Sequence, residues 1–240
     1  MRQARRFYKE ATVTPERGIA LDGKPVRTPK KQLLVLPTDK LAQAVAAEWR
    51  AQGDKIDPIS MLMTKLANTA IDRVAFERAR ILAEMVDYAA SDLVCYRADR
   101  PPDLVARQAA HWDRVIDWAS TALNAPFVAT LGVIHRPQPP EALHAVSNAL
   151  EFISDYEVAA LHNIMTLTGS ALLSLMLGRG ALSPNAAWTA ANVDEDYQIE
   201  NWGEDDEAAK RRAARHTEFL ACCRFLALAR PRFDATFLLP

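Results

Sequence analysis

The 240-residue chain is half hydrophobic and one quarter charged, and its formal net charge is −1. This composition is typical of a globular protein with a substantial core, and the near-zero charge excludes an overall basic field for binding nucleic acid. The most apolar stretch, residues 161–177, is shorter than the roughly 20 apolar residues that span a bilayer, so we predict no membrane insertion.

Turn signals separate the short apolar runs between residues 7 and 36. Thr14-Pro15 ends the first run, and Asp22-Gly23 is a favoured pair for a type I′ hairpin. Pro25 and Pro29 restrict their strands to edge positions. We predict a small antiparallel meander, which is too thin to be stable alone and must pack against the rest of the chain.

Helical periodicity dominates after Pro37. Thr38 is placed to cap a helix running to about Gln52, in which Leu41, Val45 and Trp49 recur at i+4 spacing. Further helices are predicted over 59–74 and 76–90 (as one helix or two), after Pro101-Pro102, from Ser154 to Leu177, after Ser183-Pro184, and from about Asp205 to Ala229. The fold class is therefore α+β, with an antiparallel β domain over residues 1–37 and a larger all-helical domain over 38–240.

Two local patterns refine this outline. Ser154 and Glu157 have the spacing of a capping box, in which each residue bonds the other's backbone N–H. FVATLGVIH (127–135) is predicted to be a lone extended segment before three prolines.

Motifs for catalysis and for cofactor binding are missing from the sequence. It has no glycine-rich phosphate loop, no pair of histidines at zinc-binding i,i+4 spacing, no Cys-x-x-Cys and no GxSxG. We therefore expect no catalytic residue, no cofactor, no metal ion and no small-molecule substrate. Cys95, Cys222 and Cys223 are expected to be reduced thiols, since adjacent cysteines rarely bridge and the count is odd.

The stretch DEDYQIENWGEDDE (194–207) concentrates eight carboxylates around Trp202-Gly203. Its spacing does not fit a calcium loop, because Gly203 stands tenth rather than sixth. The segment 204–207 is typical of a helix N-terminus, with Glu207 and Arg211 forming an i,i+4 ion pair. Trp202 is either an aromatic anchor for another protein or a link packed between helices. The alternative function is a metal-dependent hydrolase that uses these carboxylates.

Five separate stretches resemble one known family, the assembly chaperones of F-type ATP synthase that hold the alpha subunit of the catalytic head before it joins beta. The resemblance covers roughly residues 5 to 225, and the tail from Arg230 to Pro240 matches nothing. The five stretches are RRFYKEATV (5–13), LDGKPVRTPKKQLLVLPTDKLAQAVAAEW (21–49), MLMTKLANTAIDRV (61–74), YAASDLVCYRA (88–98) and DEDYQIENWGEDDEA (194–208).

This resemblance implies a protein that is not an enzyme. It implies a small β domain followed by a helical domain, which binds the unassembled alpha subunit, prevents its aggregation and hands it over for assembly. The matching positions that it nominates for partner binding are Glu195, Trp202, Gly203, Glu207 and Trp49, the last of which is either a core anchor or a contact.

The fourth matching stretch contains Tyr88, Asp92 and Tyr96 at i,i+4 spacing. On one continuous helix these side chains share a face, as a buried network or as a binding surface.

The first residues, MRQARRFYKE, lack the apolar segment of a secretory signal. We predict a cytoplasmic location in a bacterium, or the mitochondrial matrix if the chain is a processed eukaryotic protein.

Overall fold

The computed structural model describes residues 4–132 and 134–231. The strands β1 to β5 are Ala11–Val13, Ile19–Leu21, Lys24–Pro25, Tyr96–Arg97 and Thr130–Leu131. The helices α1 to α5 are Asp39–Arg50, Leu62–Thr69, Ala75–Ala90, Pro102–Leu123 and Pro140–Glu151. The helices α6 to α10 are Asp155–Thr168, Ala171–Gly178, Pro184–Ala191, Val193–Trp202 and Asp206–Ala229. A π-helical turn, Ala70–Val74, joins α2 to α3.

The N-terminal strands form the predicted antiparallel sheet, in the order β1-β2-β3. Asp22 and Gly23 connect β2 to β3 with φ angles of 47° and 79°, as a type I′ turn requires. Helices make up most of the remaining chain, so the predicted α+β class is confirmed.

The described residues form two compact units. One contains residues 4–78, 154–160 and 221–231, and the other contains 79–132, 134–153 and 161–220. The predicted domain boundary after residue 37 stays a prediction, because these units are defined by packing and not by independent folding.

In the first unit, α1 packs against the sheet through Leu41, Ala42, Val45 and Ala46, all of which are buried. Thr38 caps α1 as predicted, since its side chain accepts a hydrogen bond from the N–H of Leu41 at 3.1 Å. The unit also includes the start of α6 and the end of α10. There the hydroxyl of Tyr156 donates to the carbonyl of Val35, and the Tyr156 ring stacks on Phe225.

In the second unit, α4 presents Gln108, Trp112, Val115 and Ala119 as its buried face. Trp112 fixes the position of this face by donating from Nε1 to the carbonyl of Ala190 at 2.7 Å. The α4 helix packs against α7, α8 and α9, which places α9 and its acidic residues on this unit.

The prediction of one continuous helix from Ser154 to Leu177 is wrong. The capping box of Ser154 and Glu157 begins α6 as expected. This helix ends before Gly169, whose φ is +70°. Ser170 then caps α7 by accepting from the N–H of Leu173 at 2.9 Å. An apolar run gives no periodic signal for such a break, because α7 is buried all round and α6 is buried or half-buried at all but one residue.

The prediction that Tyr88, Asp92 and Tyr96 share one helical face is also wrong. The α3 helix ends at Ala90, Asp92 caps a short 3₁₀ turn, and Tyr96 begins β4. The extended segment predicted at 127–135, within which residue 133 lies outside the described residues, is not a lone strand. Its residues 130 and 131 pair in parallel with β4.

No helix within residues 4–132 and 134–231 is long and apolar enough to cross a membrane. The part of the predicted unmatched tail from residue 232 to residue 240 lies outside the described residues.

Candidate functional site

The acidic stretch 194–207 folds into α9, a turn and the start of α10. Asp194, Glu195 and Asp196 occupy the first turn of α9, where negative charge favours the positive end of the helix dipole. Gly203 ends α9 with φ 86° and ψ 169°, a backbone conformation restricted to glycine.

Most carboxylates of α9 have partners on other helices. Glu200 accepts two hydrogen bonds from Arg107 of α4, at 2.9 and 2.6 Å, and these bonds hold the pKa of Glu200 below its ordinary value. Asp196 forms an ion pair with Arg212 of α10. Asp194 accepts from the side-chain amide of Gln108 at 2.7 Å. The sequence did not reveal these partners, because they are distant along the chain.

Glu195 and Trp202 lie on the same face of α9, since seven residues complete nearly two helical turns. Glu195 is half-buried, with its carboxylate 4.0 Å from the guanidinium of Arg215. Trp202 is 76% exposed and contacts Tyr197 edge-on at 6.3 Å between ring centroids. Trp202 is therefore not a buried link between helices.

Residues 202–207, which we name the acidic turn, are all exposed. Asp205 caps α10 by accepting from the N–H of Ala208 at 2.8 Å. The predicted pair of Glu207 and Arg211 is present at 3.5 Å, with both side chains mostly exposed. The acidic turn combines a large exposed indole with four solvated carboxylates.

Trp49 belongs to the other unit and is half-buried at the end of α1. The ring of Tyr8 packs edge-on against it at 5.8 Å between centroids, and the hydroxyl of Tyr8 donates to its carbonyl at 2.7 Å. The Trp49 side chain lines an open apolar groove of about 670 Å³. Trp49 thus has a structural contact and an accessible groove beside it.

Asp92 is fully buried and belongs to a structural network. Its carboxylate accepts from the N–H of Leu172 at 2.9 Å and from the N–H of Val94 at 3.2 Å. Burial raises its pKa to about 6, against the opposing effect of these hydrogen bonds. The sequence left two roles open for this stretch, a buried network or a binding surface. Asp92 belongs to a buried network.

In the part of the chain that the structure describes, the cysteines and acidic residues show no arrangement for metal binding. Within the described residues, no group of three or more His, Cys, Asp or Glu side chains is placed to hold a metal ion. Cys95, Cys222 and Cys223 are buried thiols that form no disulfide bond, and burial raises the pKa of the Cys95 thiol to about 12.

Comparison with known proteins identifies the family. The model of the ATP12 chaperone protein family matches residues 5–120. Atp12 of Paracoccus denitrificans is 41% identical, with a TM-score of 0.89 over 95% of this chain and 99% of that one. A protein of Agrobacterium tumefaciens is 44% identical, with a TM-score of 0.87 over 92% of this chain and 85% of that one. Mitochondrial atp12 of Schizosaccharomyces pombe is 22% identical over 85% of this chain and 75% of its own length.

These matches cover both units and agree with the α+β architecture described above. The family consists of assembly factors for ATP synthase, and it offers no support for a metal-dependent hydrolase. The chain therefore belongs to the ATP12 chaperone family and is an ATP synthase assembly chaperone, not an enzyme.

Proposed function

We propose that the subunit held by this chaperone is the alpha subunit of the F-type ATP synthase. An unassembled alpha subunit exposes the apolar surface that beta later covers, and such a surface promotes aggregation. The chaperone covers part of this surface until beta arrives. A hold-and-release complex of this kind needs an interface of about 1,200–1,600 Å².

The observation that carries this proposal is the exposed Trp202 beside the four carboxylates of the acidic turn. Aromatic side chains such as tryptophan supply much of the binding energy at protein interfaces. Charges around such an anchor fix the orientation of the partner and speed its association.

Each nominated residue has a distinct role in this proposal. Trp202 is the anchor, and Gly203 directs the chain away from α9 so that the indole stays exposed. Glu207 supplies charge at the acidic turn, and Glu195 supplies charge on the same face of α9. Trp49 contributes a separate surface on the other unit.

Release requires no nucleotide if alpha binds beta more tightly than it binds the chaperone. Exchange then follows from the difference between two affinities. We place this exchange in the bacterial cytoplasm, because identity to the bacterial relatives is 41–44% and identity to the mitochondrial relative is 22%.

Charge reversal tests the acidic contribution. Glu207→Lys and Glu195→Lys are expected to weaken binding to purified alpha by about tenfold at low salt and less at high salt, since ions screen exposed charges. Asp117→Lys is the matched control, because it reverses an exposed carboxylate on α4. Binding and salt dependence equal to those of the parent would remove the acidic surface from the mechanism.

A further inference from the structure

The groove beside Trp49 is bounded by α1, α2, the π-helical turn and the loop that precedes Lys31. Apolar atoms dominate its lining, which includes Trp49, Ile56, Pro58 and Met61. Its volume of about 670 Å³ is in the range of pockets that enclose a drug-sized ligand. The groove is therefore large enough to receive a short peptide segment.

The walls of the groove are fixed by hydrogen bonds, one of them buried and the others partly buried. Asp72 accepts from the hydroxyl of Thr28 at 2.6 Å and from the backbone N–H of Lys30 at 2.9 Å. Glu48 accepts from the N–H of Met63 at 2.7 Å and from the N–H of Thr64 at 2.8 Å. The groove is thus held open before anything binds, which lowers the ordering cost of binding.

Two polar atoms of the lining residues lack hydrogen-bond partners among the described residues. The Nε1–H of Trp49 and the Oδ1 of Asn68 are both buried, and neither has a hydrogen-bond partner among residues 4–132 and 134–231. A buried polar group without a partner is unfavourable. One atom is a donor and the other is an acceptor, so together they match the carbonyl oxygen and the N–H of a peptide backbone.

The apolar surface extends beyond this groove. A second groove, of about 300 Å³, shares Trp49 as part of its wall and includes Phe7 and Tyr8. Phe7 is 74% exposed, and Ile59, which follows Pro58 of the first groove, is 83% exposed. An occupant that covers these residues must be longer than a small molecule.

Cationic side chains outnumber carboxylates among the residues that line the two grooves. The cationic residues are Lys24, Arg27, Lys30, Lys65 and Arg73, and the carboxylates are Asp22, Asp72 and Glu77. Both Asp22 and Asp72 accept hydrogen bonds from backbone N–H groups. The residues that line the two grooves therefore favour an occupant with negative charge.

We propose that the two grooves beside Trp49 bind an extended, apolar segment of the unassembled subunit that is flanked by acidic residues. Trp49 Nε1–H and Asn68 Oδ1 bond the backbone of this segment, while the grooves receive its side chains. This inference rests on the function proposed above, and it assigns to the first unit a recognition site independent of the acidic turn.

A groove-filling variant and a variant that lacks the indole N–H test this site. Thr69→Trp fills the groove from its half-exposed wall, and Trp49→Phe keeps an aromatic ring but removes the N–H. Trp118→Phe is the matched control on α4, where the tryptophan is also half-buried. Circular dichroism and thermal unfolding check that each variant folds.

The probes are the purified alpha subunit and overlapping short synthetic peptides that cover its sequence. We expect an apolar, acid-flanked peptide to bind the parent and to shift the indole N–H resonance that Trp49→Phe removes. Thr69→Trp should weaken binding of both this peptide and alpha by about tenfold or more. Trp49→Phe should cause a smaller loss, and Trp118→Phe should cause none.

Three results would overturn the inference. A folded Thr69→Trp that binds alpha as tightly as the parent leaves the groove outside the interface. Self-association of the parent that Thr69→Trp abolishes, with alpha binding unchanged, makes a second copy of the chain the occupant. Failure of the parent to bind alpha at all removes the proposed function and this inference together.

Discussion

At the scale of single residues, Asp92 is placed for folding and not for partner binding. Its carboxyl is buried where α3 gives way to the 3₁₀ turn, and it accepts backbone hydrogen bonds from Val94 and from Leu172 at the start of α7. It therefore ties together two segments that are distant in sequence. Because the pKa of Asp92 is raised in the folded protein, this role can be measured through the pH dependence of stability.

The folded pKa of Asp92 is about 6, and its ordinary value is 3.8. Between these values the folded protein binds more protons at this site than the unfolded chain does, so stability must fall as pH rises. The contribution is fully present below about pH 4 and is lost through about pH 6, with a total of about 3 kcal/mol.

Asp92→Asn removes this titration without changing the other ionisable groups. Urea unfolding of parent and variant between about pH 4 and pH 7 should show that the stability difference, parent minus variant, shrinks by about 2 kcal/mol, which is most of this total. Parallel pH profiles for the two proteins would show that Asp92 titrates alike in the folded and unfolded states.

At the scale of elements, the sequence predicted the features whose causes are local. The caps at Thr38 and Ser183 and the box at Ser154 each depend on a few neighbouring residues, and all three begin helices as expected. The Asp22-Gly23 turn is equally local.

Features that depend on distant partners could not be predicted. The break at Gly169 lies inside an apolar run, and the cations that neutralise α9 come from α4 and α10. The groove beside Trp49 likewise requires residues from α1, α2, the π-helical turn, α3 and the loops beside them. The sequence identified Trp49 and Trp202 by family resemblance, but only the fold shows that one lines a groove and the other is exposed.

Two carboxylates of the acidic stretch should differ in their effect on stability. Asp196 pairs with Arg212 where both side chains are largely buried, with 30% and 19% exposure. Asp196→Asn should lower the free energy of unfolding by about 1–2 kcal/mol, between the values for exposed and buried pairs. Glu207→Gln removes the same charge at an exposed pair and should change stability little.

Chemical denaturation of both variants measures this difference in the free energy of unfolding. Affinity for alpha should rank the two variants in the opposite order. We expect Glu207→Gln to weaken the complex while leaving the fold intact. Equal stability loss in the two variants would mean that the burial around Asp196 does not strengthen its ion pair.

At the scale of the whole molecule, the chaperone must bind tightly enough to protect its partner and weakly enough to release it. In our proposal two separate recognition surfaces serve this purpose, because exchange can proceed stepwise when beta displaces one surface before the other. We propose that the charged acidic turn speeds the encounter with the partner and that the apolar groove beside Trp49 prolongs the complex.

Size-exclusion chromatography of the chain with purified alpha, before and after addition of beta, tests this account most directly. The account predicts that the chain co-elutes with alpha, does not co-elute with beta alone, and leaves alpha when beta is added without nucleotide. Binding to beta alone, or continued stoichiometric association with the alpha–beta assembly, would contradict it.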